Sequence, residues 1–321
     1  MRSKHQNYTL MLLFTIPVLL LLSCGKDSEV FTPYEPTGNI EDYYSVQDDD
    51  VQIFERTASD DIIIVTENNT IITIPSYSMI DDAGNVISDG IKIEVLEVFD
   101  KGDMILHKTS TMTSKAYLKS NGMFHIRATK DGKELKMKDG YNYKLYVPNK
   151  EPDPEMKLFF GDRVEGMVVW EEAQDQDIRV NEWQIADSST VYFDFGYELF
   201  CDKFTWINID KYYDIPEDQK TSVCVSLPEE LYDNKNTAVF MIYKEEYSLI
   251  PFTFNKEDKL WCEPYAQVPK GWEIYIITIS SLGEGEYHLG YLEATVTDND
   301  QFTIIPKIKT KEEIKEFLKT L

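Results

Sequence analysis

The sequence predicts a mostly β protein: two tandem β-sandwich-like domains with a short C-terminal helix. Short runs with alternating apolar and polar residues recur along most of the chain. Turn residues separate these runs at intervals of roughly 8–12 residues, a spacing typical of sandwich strands. Runs rich in isoleucine, valine and threonine favour extended structure. The C-terminal end shows a helical period instead.

The first 23 residues have the layout of a secretory signal peptide. Two basic residues precede an apolar run from Leu10 to Leu22, and Ser23 comes directly before Cys24. A charged start, a short apolar middle and a small residue before the cleavage site are typical of such signals. The run is shorter than the roughly 20 apolar residues that a membrane-spanning helix needs. We therefore predict export and removal of residues 1–23.

The end of this leader points to a lipid anchor. Leu21-Leu22-Ser23-Cys24 resembles the lipobox of bacterial lipoproteins. The resemblance implies that the Cys24 thiol is acylated, that the chain is cut before Cys24 and that the new amine is acylated as well. Two or more acyl chains give stable membrane anchoring where one is marginal. The expected partner of the mature N-terminus is therefore a membrane.

Residues 24–50 are expected to form a flexible acidic tether, because they mix acids, proline and glycine with few aliphatic residues. Lys26, Asp27 and Glu29 lie just after the acylated cysteine. They resemble the export signal of Bacteroidota lipoproteins, which sends these proteins to the outer face of the outer membrane. The resemblance implies exposure at the cell surface, and the periplasmic face of the outer membrane is the alternative.

The first sandwich is predicted over residues 51–148. The runs 61–65 and 70–74, both rich in β-branched residues, flank the turn signal Glu67-Asn68-Asn69 and predict a hairpin. Residues 91–95 alternate strictly, with isoleucine and valine facing inward and charges outward. Asn121-Gly122 is expected to open a further strand.

This region carries a second resemblance. Its matching runs are 73–75, 82–86, 90–95 and 120–128. They resemble a module common in Bacteroidota lipoproteins that is similar to ZU5-type β-sandwich domains, over roughly residues 60–148. The resemblance implies a β-sandwich. Some ZU5-like domains cleave themselves at a His-Phe-Ser site, but this chain has Phe124-His125-Ile126, so self-cleavage is not carried over.

A Pro-rich polar segment at residues 149–157 is expected to link this module to a second β-rich domain, residues 158–321. The run Trp206-Ile207-Asn208-Ile209-Asp210 resembles a Trp-Ile-Asn-x-Asp motif found C-terminal to the same module. The motif indicates relatedness and no mechanism.

The chain is predicted to end in an amphipathic helix. Thr310 and Glu313 form a T-x-x-E capping box. The apolar residues that recur at helical spacing are Ile314, Phe317, Leu318 and Leu321. This stripe is expected to pack on the second domain, and a helix that binds a partner protein is the alternative.

Composition excludes some partners. The chain has 32 basic and 57 acidic residues and a formal net charge of −25. Phosphate backbones are bound by clustered lysine and arginine, so this charge argues against nucleic acid. A solvated, self-repelling exterior is the expected role of the acids.

The cysteines leave a choice open. Cys201, Cys224 and Cys262 remain once Cys24 carries lipid. An odd number in an exported chain fits one disulfide plus a buried thiol, and it also fits three buried thiols. Their spacings match no zinc signature.

No catalytic motif stands out. His107, His125 and His288 lack metalloprotease spacing, and the glycine patterns of hydrolases and nucleotide-binding proteins are missing from the sequence. His125 alternates with two apolar residues and is expected to lie on the opposite face of its strand. The acidic clusters fit no EF-hand loop, so no cofactor is predicted and a structural calcium ion is the weaker alternative.

The five tryptophans are expected to pack in cores, with an exposed row that stacks on glycans as the alternative: Trp170, Trp183, Trp206, Trp261 and Trp272. The sequence therefore predicts a non-catalytic, lipid-anchored cell-envelope protein that serves as a structural or protein-interaction module. A surface glycan- or ligand-binding lipoprotein is the first alternative. A secreted hydrolase is the less favoured one, because no pair of carboxylates is singled out by spacing.

Overall fold

The structure is a computed structural model that describes residues 37–44, 50–174, 177–186, 190–228 and 232–321. Strand dominates these residues, which confirms the predicted mostly β class. The described helices are α1 (Glu41–Tyr44), α2 (Lys101–Leu106) and α3 (Lys311–Leu318), and a 3₁₀ turn covers Glu217–Gln219. No helix in these ranges is long and apolar enough to cross a membrane.

The strands are numbered along the chain. Those up to residue 212 are β1 (Gln52–Arg56), β2 (Ile62–Val65), β3 (Ile71–Ile74), β4 (Met79–Ile80), β5 (Ile91–Val98), β6 (Leu118–Lys130), β7 (Lys133–Glu134), β8 (Lys136–Met137), β9 (Tyr143–Pro148), β10 (Lys157–Val164), β11 (Met167–Glu172), β12 (Ile178–Ala186), β13 (Val191–Cys201) and β14 (Trp206–Tyr212). The remaining strands are β15 (Lys220–Thr221), β16 (Val223–Ser226), β17 (Thr237–Tyr243), β18 (Ile250–Pro251), β19 (Thr253–Asn255), β20 (Leu260–Cys262), β21 (Val268–Pro269), β22 (Glu273–Gly283), β23 (Glu286–Thr295), β24 (Asp300–Thr303) and β25 (Lys307–Lys309).

Four larger sheets form from these strands. The first sheet has the order β12-β13-β9-β3-β2, and the second has β1-β5-β6-β14-β10-β11 with β7 beside β6. The third sheet has the order β18-β17-β22-β23-β25, and the fourth has β19-β20-β16-β24. The predicted hairpin is present, since β2 pairs antiparallel with β3 and Ile62 lies opposite Ile74.

The predicted domain boundary is wrong. The predicted linker 149–157 forms a loop within the first sandwich up to residue 156, and Lys157 already begins β10. The strands on its two sides share both sheets. β9 pairs with β13 in the first sheet, and β6 pairs with β14 in the second. The first sandwich therefore extends through residue 212. Proline and polar residues mark a loop equally well inside a domain and between domains.

Three apolar cores lie between the sheets. The first core joins the first and second sheets and includes Ile93 and Phe124. The middle core joins the opposite face of the second sheet to the third sheet, with Leu96 on one side and Ile277 on the other. The last core joins the other face of the third sheet to the fourth. Because successive strand residues point to opposite faces, Ile276 lies in the last core while its neighbour Ile277 lies in the middle one.

Part of the predicted flexible tether is ordered. Tyr43 in α1 is fully buried in the middle core, and Ile40 is 9% exposed. The rings of Tyr43 and Tyr287 meet edge to face with centroids 5.7 Å apart. The tether prediction is therefore wrong for residues 37–44, because two aromatic residues and an isoleucine supply enough apolar surface to anchor a short helix.

The C-terminal helix is confirmed. Thr310 accepts from the backbone N–H of Glu313, and the Glu313 side chain accepts from the backbone N–H of Thr310, which completes the capping box. Ile314 and Leu318 are buried in the middle core. The helix packs against α2, where a side chain at Gly102 would collide with the carbonyl of Leu318.

Asn121-Gly122 does not open a strand. It lies inside β6, where the register against β14 shifts between Asn208 and Asp210. A bulge of this kind inserts residues into one strand and re-aims the side chains beside it. The bulge faces a buried polar cluster: Ser120 donates to the side-chain oxygen of Asn208 over 2.8 Å, and Asn208 donates to the Asp210 carboxyl over 2.6 Å. We call these three residues the Ser120–Asn208–Asp210 cluster.

The choice among the cysteines is resolved as one disulfide and one thiol. Cys224 in β16 and Cys262 in β20 lie directly opposite each other and are bonded. Cys201 is a buried free thiol in the first core.

A two-stranded ribbon extends the first sheet. Residues 178–186 of β12 pair with residues 191–199 of β13. β13 pairs with β9 only over residues 196–201, so residues 191–195 have β12 as their neighbour. One face of the ribbon packs on the sheet, with the Trp183 ring centroid 5.5 Å from that of Tyr146. The other face carries Val191, Phe193 and Phe195, which are 56%, 71% and 38% exposed. We call these three residues the ribbon stripe.

Candidate functional site

The predicted lipidation and export residues lie outside the described ranges. These are Cys24, Lys26, Asp27 and Glu29. The lipidation of Cys24 and the export signal stay predictions.

An open cleft lies on the face of the second sheet that looks away from the first core. The cleft has a volume of about 680 Å³. Its central wall comes from three neighbouring strands, with His125 from β6, Arg163 from β10 and Trp206 from β14. Tyr44 and His107, from the ends of α1 and α2, line it as well. We call it the stacked-ring cleft.

The two motifs that carry the family resemblances meet in this cleft. His125, from the Phe-His-Ile run, lies directly opposite Trp206, from the Trp-Ile-Asn-x-Asp run. Their rings are stacked with centroids 4.8 Å apart and an angle of 29° between the planes. The guanidinium carbon of Arg163 lies 5.3 Å from the Trp206 ring centroid, within the range of a cation–π contact.

A glycine makes room for these rings. Gly161 lies opposite Trp206 on one side and Trp170 on the other. A Cβ at this position would lie 2.6 Å from the Trp170 ring and from a methyl group of Val168. Glycine in the interior of a strand often marks such a close approach. Gly161 therefore lets the two indoles approach each other, with centroids 6.4 Å apart.

Charged residues line the rim. The Lys108 ammonium bonds to the Glu41 carboxylate over 2.6 Å and lies 5.1 Å from the Tyr44 ring centroid. His107 lies 3.4 Å from the Asp50 carboxylate. Lys108 and His107 thus both have partners within the protein.

The histidines of the cleft are neutral at physiological pH. Burial lowers the pKa of His125 to about 4, and the nearby Arg163 charge acts in the same direction. Burial also lowers the pKa of His107, with the Asp50 carboxylate opposing the shift. A neutral imidazole offers one donor and one acceptor. The cleft therefore presents neutral histidines and aromatic rings beside Arg163, and the charged residues Glu41, Lys108 and Asp162 line it as well.

The Tyr44 hydroxyl is buried and has no hydrogen-bond partner within the described part of the chain. Burial raises its pKa well above the usual value, so it remains a neutral donor. A buried hydroxyl without a partner costs free energy.

The arrangement suits binding better than nucleophilic chemistry. Among the described residues that line the cleft there is no serine or cysteine. Thr205 supplies an aliphatic hydroxyl among these residues, and this hydroxyl donates to the carbonyl of Gly161 over 3.3 Å. Covalent catalysis needs a nucleophile within reach of a base.

The other sequence candidates are not brought to this site. His288 contacts the Tyr232 hydroxyl over 2.8 Å and the Glu286 carboxylate over 2.9 Å. Four of the five tryptophans are at most 6% exposed, which agrees with core packing and leaves no exposed row: Trp170, Trp183, Trp206 and Trp261. Trp272 packs partly buried against the last core. In the ranges that the structure covers, no group of three or more His, Cys, Asp or Glu side chains is placed to hold a metal ion.

The sequence did not predict that Arg163, Lys108 and Tyr44 line a common cleft. None of them sits in a recognisable motif, because strands and helices distant in sequence bring them together. The available signal was Gly161, a glycine inside a strand-like run that indicates close packing of neighbouring side chains.

Comparison with known proteins gives no assignment. No protein-family model matches the chain. No curated protein sequence matches it either.

Proposed function

We propose that this chain is a lipid-anchored, non-catalytic protein of the cell envelope that acts as a structural or protein-interaction module. The anchor is Cys24 at the end of the leader, where the sequence resembles a lipobox. The proposed location is the outer membrane, with the protein on the cell surface as Lys26, Asp27 and Glu29 indicate. The periplasmic face remains the alternative location.

The disulfide supports export. Disulfides persist in oxidising compartments and are rare in the cytosol, where thiols are kept reduced. Cys224 and Cys262 are bonded across two strands of the fourth sheet. A chain with such a bond fits an envelope compartment better than the cytosol.

The ribbon stripe carries the interaction part of the proposal. Single exposed apolar residues are common on protein surfaces, whereas contiguous ones mark interaction sites. Val191, Phe193 and Phe195 alternate along one strand and therefore share a face. Phe193 is 71% exposed. Because an aromatic side chain buries a large apolar area, a partner that covers Phe193 would gain more than one that covers a smaller residue.

The test is site-specific photo-crosslinking in living cells. A photoreactive residue replaces Phe193 in one variant and Ile308 in a control. Ile308 is an equally suitable reporter, since it is 70% exposed and lies on β25, away from the ribbon. The proposal expects discrete protein adducts at position 193 and none at position 308.

A Cys24→Ala version of each variant tests the anchor in the same experiment. The adducts at position 193 should disappear from the membrane fraction, because the chain no longer stays at the membrane. Equal adducts at 193 and 308, or none at either, would retire the interaction module. Unchanged membrane association of the Cys24→Ala chain would retire the lipid anchor.

The stacked-ring cleft favours a second candidate, a surface ligand-binding lipoprotein. Its aromatic rings, its neutral histidines and Arg163 form a concave site with convergent polar groups, as small-molecule sites do. The buried tryptophans do not support the glycan-stacking form of this candidate.

A further inference from the structure

Among the described arginines, Arg127 and Arg179 pair with carboxylates, whereas Arg56 and Arg163 donate to backbone carbonyls. Arg163 is the one of these that lines the stacked-ring cleft. Its guanidinium donates to two backbone carbonyls, those of His107 and Gly166, each over 3.1 Å. No carboxylate of the described residues lies within 4.0 Å of it. By contrast, Arg127 pairs with both Glu94 and Glu134.

The charge of Arg163 is therefore available to a ligand. A guanidinium has five N–H donors, and two protein oxygens leave several of them for another acceptor. Arginine forms bidentate bonds with carboxylates and phosphates because its planar fork matches their geometry. In a chain with 57 acidic residues, an arginine that faces a cleft without an acidic neighbour in contact indicates an external oxyanion.

The rim restricts the charge of that oxyanion. Asp162 and Glu41 also line the cleft, and the Lys108 ammonium is already paired with Glu41. Two carboxylates near one unpaired guanidinium would repel a dianion or a polyphosphate. A single negative charge is the best match.

The walls restrict the rest of the ligand. Val51, Leu96 and Leu106 supply apolar surface, and the volume of about 680 Å³ exceeds what an inorganic ion would fill. Neutral His125 can bond to a hydroxyl or carbonyl group of an organic molecule, and the ring of Tyr44 offers it an aromatic surface. The cleft thus fits a small organic body with one anionic end.

We infer that the stacked-ring cleft binds a small organic monocarboxylate, with its carboxylate on Arg163 and its body against Tyr44 and His125. The inference rests on the second candidate function, ligand binding at this cleft, and it requires neither the lipid anchor nor the ribbon stripe. Two sources share this chemistry, a sugar acid and an aromatic acid.

Isothermal titration calorimetry on the purified full chain tests the inference. The probes are glucuronate for the sugar acids and benzoate for the aromatic acids, with glucose and inorganic phosphate as controls. At least one acid should bind with a Kd below about 1 mM, and both controls should bind more weakly by about tenfold or more. Binding of glucuronate alone identifies a sugar acid as the ligand, and binding of benzoate alone identifies an aromatic acid.

Two arginine variants provide the matched comparison. Arg163→Gln should weaken binding of the acid by about tenfold or more, since it removes a charge-assisted pair. Arg56→Gln should leave it unchanged. Arg56 is matched because it too bonds to a carbonyl and lies over an aromatic ring, that of Phe54, yet it is outside the cleft.

Several outcomes would overturn the inference. These are no binding of either acid, phosphate binding as tightly as the acids, or equal binding by wild type and Arg163→Gln. Thermal melting of each variant shows whether the chain is folded, and Arg163→Lys, which retains the charge, should lose less affinity than Arg163→Gln. These results do not depend on the crosslinking experiment, so the two proposals fail separately.

Discussion

The two ends of β14 point side chains to the same face of the second sheet but place them in opposite surroundings. Trp206 lines an open cleft at one end. Asp210, four residues later, is fully buried with Asn208 and Ser120 at the other end. The difference comes from the cover, because the backbone N–H of Ser120 donates to the carbonyl of Tyr247, in the loop between β17 and β18. The alternation of side chains along a strand determines the face of the sheet on which a residue lies. The third sheet and its loops determine whether water reaches that residue.

The largest effect is expected at the open end. Trp206 lines the cleft but is only 6% exposed, and it holds the rings of His125 and Trp170. Trp206→Ala should lower the free energy of unfolding by about 3–5 kcal/mol, as truncation of a buried aromatic side chain does. Denaturant unfolding measures this loss. Trp206→Phe is the control and should lose clearly less, and a change below about 1 kcal/mol for alanine would show that the ring is not part of the core.

At the buried end of β14, substitution of Asp210 should raise the free energy of unfolding, whereas substitution of Trp206 at the open end should lower it. Burial raises the pKa of Asp210 well above its usual value, so the folded state holds the carboxyl neutral. Because the unfolded chain ionises this group near its ordinary pKa of about 3.9, stability falls as the pH rises above that value. Asp210→Asn removes this loss and should raise stability at pH 7 by about 1–3 kcal/mol, with little gain at pH 3.

Thermal melting of wild type and Asp210→Asn across this pH range checks the prediction. Asn208→Ala serves as a control, because it removes the bond to Asp210 without removing the acid and should destabilise at both pH values. Asp210→Asn that is less stable than wild type at pH 7 would mean that the carboxylate is ionised in the fold.

His125 is expected to change stability by less than Asp210 and with the opposite pH dependence. Its pKa of about 4 lies below the ordinary value of about 6.5, so its contribution to stability is full above that value and is lost as the pH falls toward 4. We expect a loss of about 1–2 kcal/mol, reduced by the partial exposure of the ring. His125→Gln should flatten this part of the stability profile. NMR titration of the imidazole gives the direct reading, and a pKa near 6.5 would contradict the prediction.

A further pH-dependent effect should come from Asp103 on α2, whose side chain is half-buried. Burial first, and then the charge of Asp100, raise its pKa to about 7. Stability should therefore decrease modestly as the pH rises from about 4 to 7, by the same reasoning as for Asp210. Asp103→Asn should remove this decrease, which pH-dependent melting detects. Asp89→Asn is the control, since Lys130 holds the pKa of that exposed carboxyl below its usual range.

Much of the fold was predictable from local patterns. The β2–β3 hairpin follows from β-branched runs around a turn, and the α3 helix follows from a capping box and a stripe of apolar residues. These features depend on residues that are close in sequence. The tight turn between β22 and β23 also lies where Gly283 and Gly285 stand.

What failed to be predicted depends on distant contacts. The boundary at 149–157 was wrong because strand partners, which the sequence does not reveal, determine where a domain ends. The sequence did not predict that residues 40–43 are ordered, because the middle core that buries Tyr43 is built by strands of both the second and the third sheet. Likewise, His125 was correctly expected on the face opposite Phe124, but its stacking on Trp206 depends on the pairing of β6 with β14.

The most direct test of the account is an NMR titration of the labelled full chain with glucuronate and benzoate. It follows the Trp206 indole N–H, in the open cleft, and the Asn208 side-chain amide, in the Ser120–Asn208–Asp210 cluster. We predict that the Trp206 signal shifts with at least one acid while the Asn208 signal stays in place, because only the Trp206 end of β14 is open to a ligand. No shift at Trp206, or equal shifts at both residues, would contradict it.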